Sequence, residues 1–244
     1  MAGVGQRTKC WMCGQLGLAS AEHLLQGAAI DLLFPNLSLE NPVQWTAWGG
    51  DRQYTSRRLI ASSDNDRLSF RRSRICVECN GTRTRAGDEA FVTFFRQMEP
   101  VTARRRAAVI PFAEIFHERT EEGVRQLHGH FAKKMGCMID DVGAGLDLTH
   151  LAAAALHQQP DPYLFIGFYS VPTDPTAKLA GASPLNVASG PDGAPRVAEM
   201  TLYFESLAIR LIYFSAAVAL LRVPASTWRP DDQTEAWTVE VIGA

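Results

Sequence analysis

Cys10-Trp11-Met12-Cys13, then Glu22-His23, then Cys76-Val77-Glu78-Cys79-Asn80 are the stretches that decide how this 244-residue chain is read. Each C-x-x-C is a knuckle that presents two sulfurs to one tetrahedral ion, so a pair of them is the sequence form of a four-thiolate zinc site. Glu22, His23 and Asn80 are of another kind. The two oxygen donors suit a hard divalent cation, and an imidazole can accept a proton near neutral pH. A closed structural metal site is therefore expected beside an open, reactive one. The zinc would tie segments separated by 62 residues, Cys13 to Cys76.

The flanking sequence supplies a frame for these residues. Residues 67–76 have strand character and would deliver Cys76 to the metal. After Asn80 the pattern turns helical, with Phe91, Phe94, Phe95 and Met98 at three- and four-residue spacing, Asp88 and Glu89 as early acidic residues, and Pro100 as the stop. A strand passing through a cysteine knuckle into a helix is the treble-clef outline, and residues 1–100 read as one such unit. Within it, 26–50 reads as a helix or irregular excursion broken at Pro35. Trp45 and Trp48 precede a Gly49-Gly50 turn, and 53–61 reads as a strand before the polar turn Ser62–Asp66.

Residues 101–244 read as a second α+β unit. Helices are expected over 120–141, with Val124, Leu127, Phe131, Met135 and Met138 on one face, and over the alanine-rich 147–158. Tyr163–Val171 suits a strand and Pro172–Pro195 a long loop. Thr201–Phe204 and Ile209–Phe214 suit a hairpin about Glu205-Ser206, and Trp237–Ile242 a last strand.

Composition narrows the function class. Net charge is only −2, yet residues 51–106 hold 13 Arg and no Lys against 7 acidic residues, a local balance of +6 that leaves the rest at −8. Arginine suits bidentate phosphate contact, so Arg71, Arg72, Arg74, Arg83 and Arg85 beside the second knuckle are the candidate nucleic-acid contacts, with a solvated surface as the alternative reading of the enrichment. Four of five cysteines lie in knuckles, a usage that fits a reducing cytoplasm, with Cys137 left as a small buried hydrophobe. The longest apolar run, Leu211–Leu221, has 11 residues where a bilayer span needs ~20, and Arg7 and Lys9 lead into a knuckle, not a signal peptide. A cytoplasmic protein with no membrane partner is expected. The other histidines, 117, 128, 130, 150 and 157, read as structural or surface groups; His128 and His130 are two apart and do not share a helical face.

Taken in order, knuckle, acid–histidine pair, knuckle with asparagine attached, the first 100 residues resemble the zinc-containing branch of the HNH, or ββα-metal, endonuclease superfamily. Phage recombination endonuclease VII and bacterial proteins reading C-x-x-C, E-H or D-H, C-x-x-C-N belong to it. The resemblance implies structural Zn²⁺ on Cys10, Cys13, Cys76 and Cys79. It also implies one catalytic Mg²⁺ or Mn²⁺ on Glu22 and Asn80, His23 as general base, and hydrolysis of DNA to 5′-phosphate ends, with RNA as the alternative substrate. Two departures stand out. Many members carry an asparagine about five residues before the second knuckle, which braces the loop that orients the base; here the position falls near Arg71, so either another group takes that role or activity is weakened. The segment Leu24–Arg74 is also longer than usual. A non-catalytic treble-clef zinc module binding nucleic acid or protein, and a ribonuclease or toxin-like effector on the same fold, are the competing readings.

Overall fold

In a computed structural model, the described residues are 7–34, 43–46, 53–56, 69–102, 109–170, 180–205, 207–215, 227–228, 237–238 and 240–241. They mix helices and sheets, as an α+β chain should. Strands β1 (Arg7–Lys9), β2 (Leu16–His23) and β5 (Ser69–Cys76) form an antiparallel sheet in the order β1-β2-β5. Between them in sequence lie helix α1 (Gly27–Leu33) and the hairpin β3 (Val43–Thr46) with β4 (Gln53–Ser56). Of the strand expected over 53–61, only Gln53–Ser56 is among the described residues; Trp48, Gly49, Gly50 and the Ser62–Asp66 turn lie outside them.

Beyond β5 the chain passes through a π-helical turn, Cys79–Arg83, into α2 (Arg85–Thr102). The helix runs two residues past Pro100, within the usual latitude of a helix end. Then come β6 (Val109–Ile110), α3 (Phe112–Phe116), a 3₁₀ turn, α4 (Thr120–Val142) and α5 (Thr149–His157). A seven-stranded sheet completes the fold. Its main path is β12 (Thr227–Trp228), β7 (Leu164–Ser170), β11 (Leu207–Phe214), β10 (Pro195–Phe204), β8 (Ala180–Ala182). Strand β9 (Asn186–Ser189) also pairs with β10, and β14 (Glu240–Val241) pairs with β7 in parallel. The β10–β11 hairpin reverses where the sequence places it, with Glu205 at φ 51°.

Two expectations need correction. Pro172–Pro195 is not all loop: β8 and β9 are short edge strands on β10, and at three and four residues they are too short to show an alternation that would announce them. Trp237–Ile242 is not one strand: β13 (Trp237–Thr238) pairs with β6, and β14 joins the large sheet. Residues 216–221 of the apolar run lie outside the described residues.

Helix α4 is the axis of the molecule. It packs on α2, α5, α3 and β5 and reaches β11 of the large sheet. The stripe Val124, Leu127, Phe131, Met135 is fully buried, as its spacing predicts. From Leu127 to Ile139 the rest of the helix surface is buried too, including His128, His130, Lys133 and Lys134. One continuous apolar core runs from Cys10 to Trp228, so the segments 1–100 and 101–244 share it.

The knuckle is seated directly on this axis. A Cβ at Gly136 would stand 2.3 Å from the Trp11 ring, closer than any side chain tolerates. On an exposed helix, Gly→Ala gains about 1 kcal/mol. Here Gly136→Ala should instead cost about 1–3 kcal/mol by overpacking, read as a lowered midpoint in thermal unfolding.

Candidate metal centre and the acid–histidine strand

The four knuckle sulfurs converge. The Sγ atoms of Cys10, Cys13, Cys76 and Cys79 all lie within 4.8 Å of one another, and Cys13 and Cys76 are 4.0 Å apart. A tetrahedral ion with Zn–S near ~2.3 Å requires sulfurs about 3.8 Å apart, so this set fits zinc. Local backbone bonds shape the cage. Gly14 N–H donates to the Cys10 carbonyl and Cys10 N–H to the Gln15 carbonyl, while Trp11 N–H ties the knuckle to β5 at the Arg74 carbonyl, 2.8 Å away. The Cys76 amide points at Cys10 Sγ. Gly17 lets β2 pass close over the site, since a Cβ there would meet the Cys76 Cβ at 2.7 Å.

Burial, then the neighbouring sulfurs, push the Cys79 thiol far up, and burial also raises Cys10. Cys13, the least buried, is lowered: backbone and sulfur hydrogen bonds outweigh its small desolvation. Four sulfurs this close cannot all ionise without a cation among them, which is the service zinc provides. Among the described residues, no other group of three or more His, Cys, Asp or Glu side chains could hold a metal.

The acid–histidine pair sits at the end of β2, opposite β5. The pairing slips there, from Ser20↔Ile75 to Glu22↔Phe70, so this end of the strand is bulged. Asn80, on the π-helical turn, donates from Nδ2 to Ser20 Oγ at 2.9 Å and to the Ala21 carbonyl at 3.2 Å. Its Oδ1 is buried with no hydrogen-bond partner among the described residues. His23 remains partly exposed, and burial, with Lys134 and Lys133 adding to it against Glu22, sets its pKa below the ordinary histidine value. A neutral imidazole two residues beyond a strand segment held by Asn80 is a competent proton acceptor.

Glu22 turns inward and is only 4% exposed. Its Oε1 accepts from Lys134 Nζ, and Lys133 Nζ lies 3.4 Å from Oε2. Lys133 also reaches Asp88 at 2.7 Å, and His130 Nδ1 meets the other Asp88 oxygen at 2.8 Å. The result is a buried cluster of two carboxylates, two ammonium groups and one imidazole, balanced in charge when His130 is neutral. Burial would raise Glu22, but the two lysines win and lower it.

These contacts decide how a second, divalent ion would fit. The free Asn80 Oδ1 suits a cation ligand. Glu22 does not, because two ammonium groups already occupy its carboxylate and would repel a divalent ion beside it. Glu22 as a catalytic-metal ligand is therefore replaced by Glu22 as the anion of an ion-pair network. Sequence inspection missed Lys133, Lys134, Asp88 and His130. A signal was present: Lys134 stands seven residues after Leu127, on the apolar stripe itself.

Burial pushes His130 down to about 4, against the pull of Asp88. Unfolded, it titrates near 6.5, so below that pH the unfolded chain binds a proton that the native chain refuses. Stability should fall by about 2 kcal/mol between pH 7.5 and pH 5 from this group. Asp88 is held well below its usual range, because the His130 and Lys133 contacts overcome its burial. Its contribution is intact above about pH 4 and is lost only in stronger acid. His130→Asn keeps a donor for Asp88 and should flatten the pH 5–7.5 slope in thermal melts relative to the wild type.

The expected phosphate contacts divide. Arg74 is committed to Asp140, whose Oδ1 accepts from its Nε at 3.0 Å and from Nη2 at 2.5 Å. Asp140 and Asp141 also accept the main-chain N–H groups of Arg72, Ser73 and Arg74, so the acidic end of α4 caps the free edge of β5. Arg72 and Arg83 are exposed; Arg85 is exposed and paired with Glu89. The side chain of Arg71 is not among the described ones. Arg85, with Gln26, Thr82, Asp88, Thr93 and Arg96, lines an open groove of about 680 Å³ along α2, next to Asn80 in sequence through Gly81.

No family model matches the chain, and no curated protein or solved structure matches it significantly. No helix among the described residues is long and apolar enough to cross a membrane.

Proposed function

We propose that the chain is an HNH-type phosphodiesterase on a treble-clef zinc scaffold, with DNA as its substrate. The observation that carries this reading is the placement of His23: partly exposed, held in its neutral form, on a bulged strand end that Asn80 grips from the knuckle turn. In this reading the water attacking phosphorus gives its proton to His23 as the P–O3′ bond breaks, and the departing 3′-oxygen is protonated by solvent. Zinc is structural. Glu22 is not free to ligate a divalent ion, because Lys134 and Lys133 hold its carboxylate. Arg72, Arg83 and Arg85, with Arg96 on the groove, would hold the phosphate backbone by charge and not by sequence.

The sequestered Glu22 favours a second reading, a non-catalytic zinc module that binds nucleic acid through the same arginines. One experiment separates the two. Zinc-loaded protein is incubated with supercoiled plasmid, branched DNA, single-stranded DNA and RNA, each with Mg²⁺, with Mn²⁺ and with chelator of divalent ions. Cleavage that leaves 5′-phosphate ends supports the phosphodiesterase. Salt-sensitive binding with no cleavage under any condition supports the module.

A further inference from the structure

We infer that Lys134 is the positioning residue for His23. The C-terminal helix α4 therefore completes the site that the N-terminal knuckles begin. One ammonium group makes both relevant contacts. Lys134 Nζ donates to the Glu22 carboxylate and also to the His23 main-chain carbonyl, at 2.5 Å. Asn80 holds the same strand end from the other side, at the Ala21 carbonyl and Ser20 Oγ. The segment from Ser20 to His23 is thus held at the Ser20 hydroxyl, the Ala21 carbonyl, the Glu22 carboxylate and the His23 carbonyl. These contacts fall where the register with β5 slips and leaves Ala21 without a pairing partner.

The energetics fit a clamp. A lysine that is 1% exposed is costly to bury without partners. Lys134 spends two of its three donors on the acid–histidine pair. Lys133 lies behind Glu22 and bridges it to Asp88, which His130 holds in turn. Glu22 then acts as the hinge pin of the clamp. It fixes where the Lys134 ammonium sits, and that ammonium fixes the His23 carbonyl. Lys133 touches the same carboxylate but, among the described residues, makes no hydrogen bond to His23, so the two adjacent lysines separate positioning from general support of the core.

The assignment of a base role to His23 rests on the proposed phosphodiesterase reading; the clamp rests on geometry alone. The test uses full-length, zinc-loaded Lys134→Met and Lys133→Met. Plasmid cleavage gives kcat and KM. The ¹H–¹³C imidazole signals of His23, assigned with His23→Gln, report its conformation without any need for activity. Lys134→Met should lower kcat by about 100-fold, the scale of a 1 Å misplacement, with KM near the wild-type value. The His23 signal should split or broaden. Lys133→Met should keep a single sharp His23 signal and a kcat within a few-fold of the wild type.

Equal behaviour of the two variants, or a wild-type His23 signal in Lys134→Met, overturns the clamp. Should Lys134→Met fail to fold, the neutral pair Glu22→Gln/Lys134→Met is read by the same signals, and a single sharp wild-type resonance overturns it there. A wild type that cleaves neither DNA nor RNA, with a His23 signal that splits only without Lys134, leaves the clamp standing and removes the nuclease.

Discussion

Cys79→Ser should yield protein without stoichiometric zinc and with its cooperative thermal transition lost or strongly lowered. The thiolate set draws on the first knuckle, the end of β5 and the π-helical turn, so one ion joins knuckles separated by 62 residues of chain. Structural zinc supplies an apparent ~10–16 kcal/mol in small zinc-finger peptides at neutral pH. The total stability of a domain is about 5–15 kcal/mol. Even with a large apolar core elsewhere, losing a ligand should therefore dominate. Cys79 is fully buried, and a serine there leaves a hydroxyl among three sulfurs in a dry site. Cys137→Ser is the control: that thiol is equally buried, lies on α4 outside the sulfur cluster, and is pushed up to about 12 by burial. It should keep its zinc. Metal analysis and thermal melts on both variants give the answer, and stoichiometric zinc with an unchanged melt in Cys79→Ser would remove the metal centre.

What the sequence could and could not disclose follows from the range of each interaction. The knuckles were legible because a four-thiolate site is written in two short motifs. The α4 stripe and the β10–β11 hairpin were legible because a helical period and an apolar strand pair are local patterns. The burial of the other face of α4 was not, since it depends on what α2, α5 and the large sheet bring to it. The partners of Glu22 and Arg74 were not legible for the same reason: Lys134 is 112 residues from Glu22, and Asp140 is 66 from Arg74. An isolated acid beside a histidine reads as a metal ligand from residue type alone. Only two lysines arriving on a remote helix make it an ion pair. On the proposed reading, Lys134 stands in for the asparagine missing near Arg71 through its bond to the His23 carbonyl.

On the proposed phosphodiesterase reading, His23→Ala should lower phosphodiester cleavage by ~10²–10⁴-fold for loss of a general base, while zinc content and melting temperature stay close to those of the wild type. The separation is expected because the His23 side chain is partly exposed and makes no bond to another described side chain, whereas its main-chain carbonyl carries the Lys134 contact and survives the substitution. Neither the thiolate cage nor the ion-pair network loses a member. The imidazole is held below its ordinary pKa by burial first and by the flanking lysines next, so in the wild type the base should be available throughout the neutral range. Cleavage by the wild type should therefore be flat from pH 7 to 8 and fall on the acid side, below the ordinary histidine range near 6.5. Added imidazole should restore part of the rate to His23→Ala, because a soluble base can enter the space that the side chain leaves. Undiminished cleavage in His23→Ala would place the base elsewhere. Joint loss of zinc, solubility and cleavage would make His23 a structural residue, since a group that serves only as a base has no means of unfolding the chain when removed.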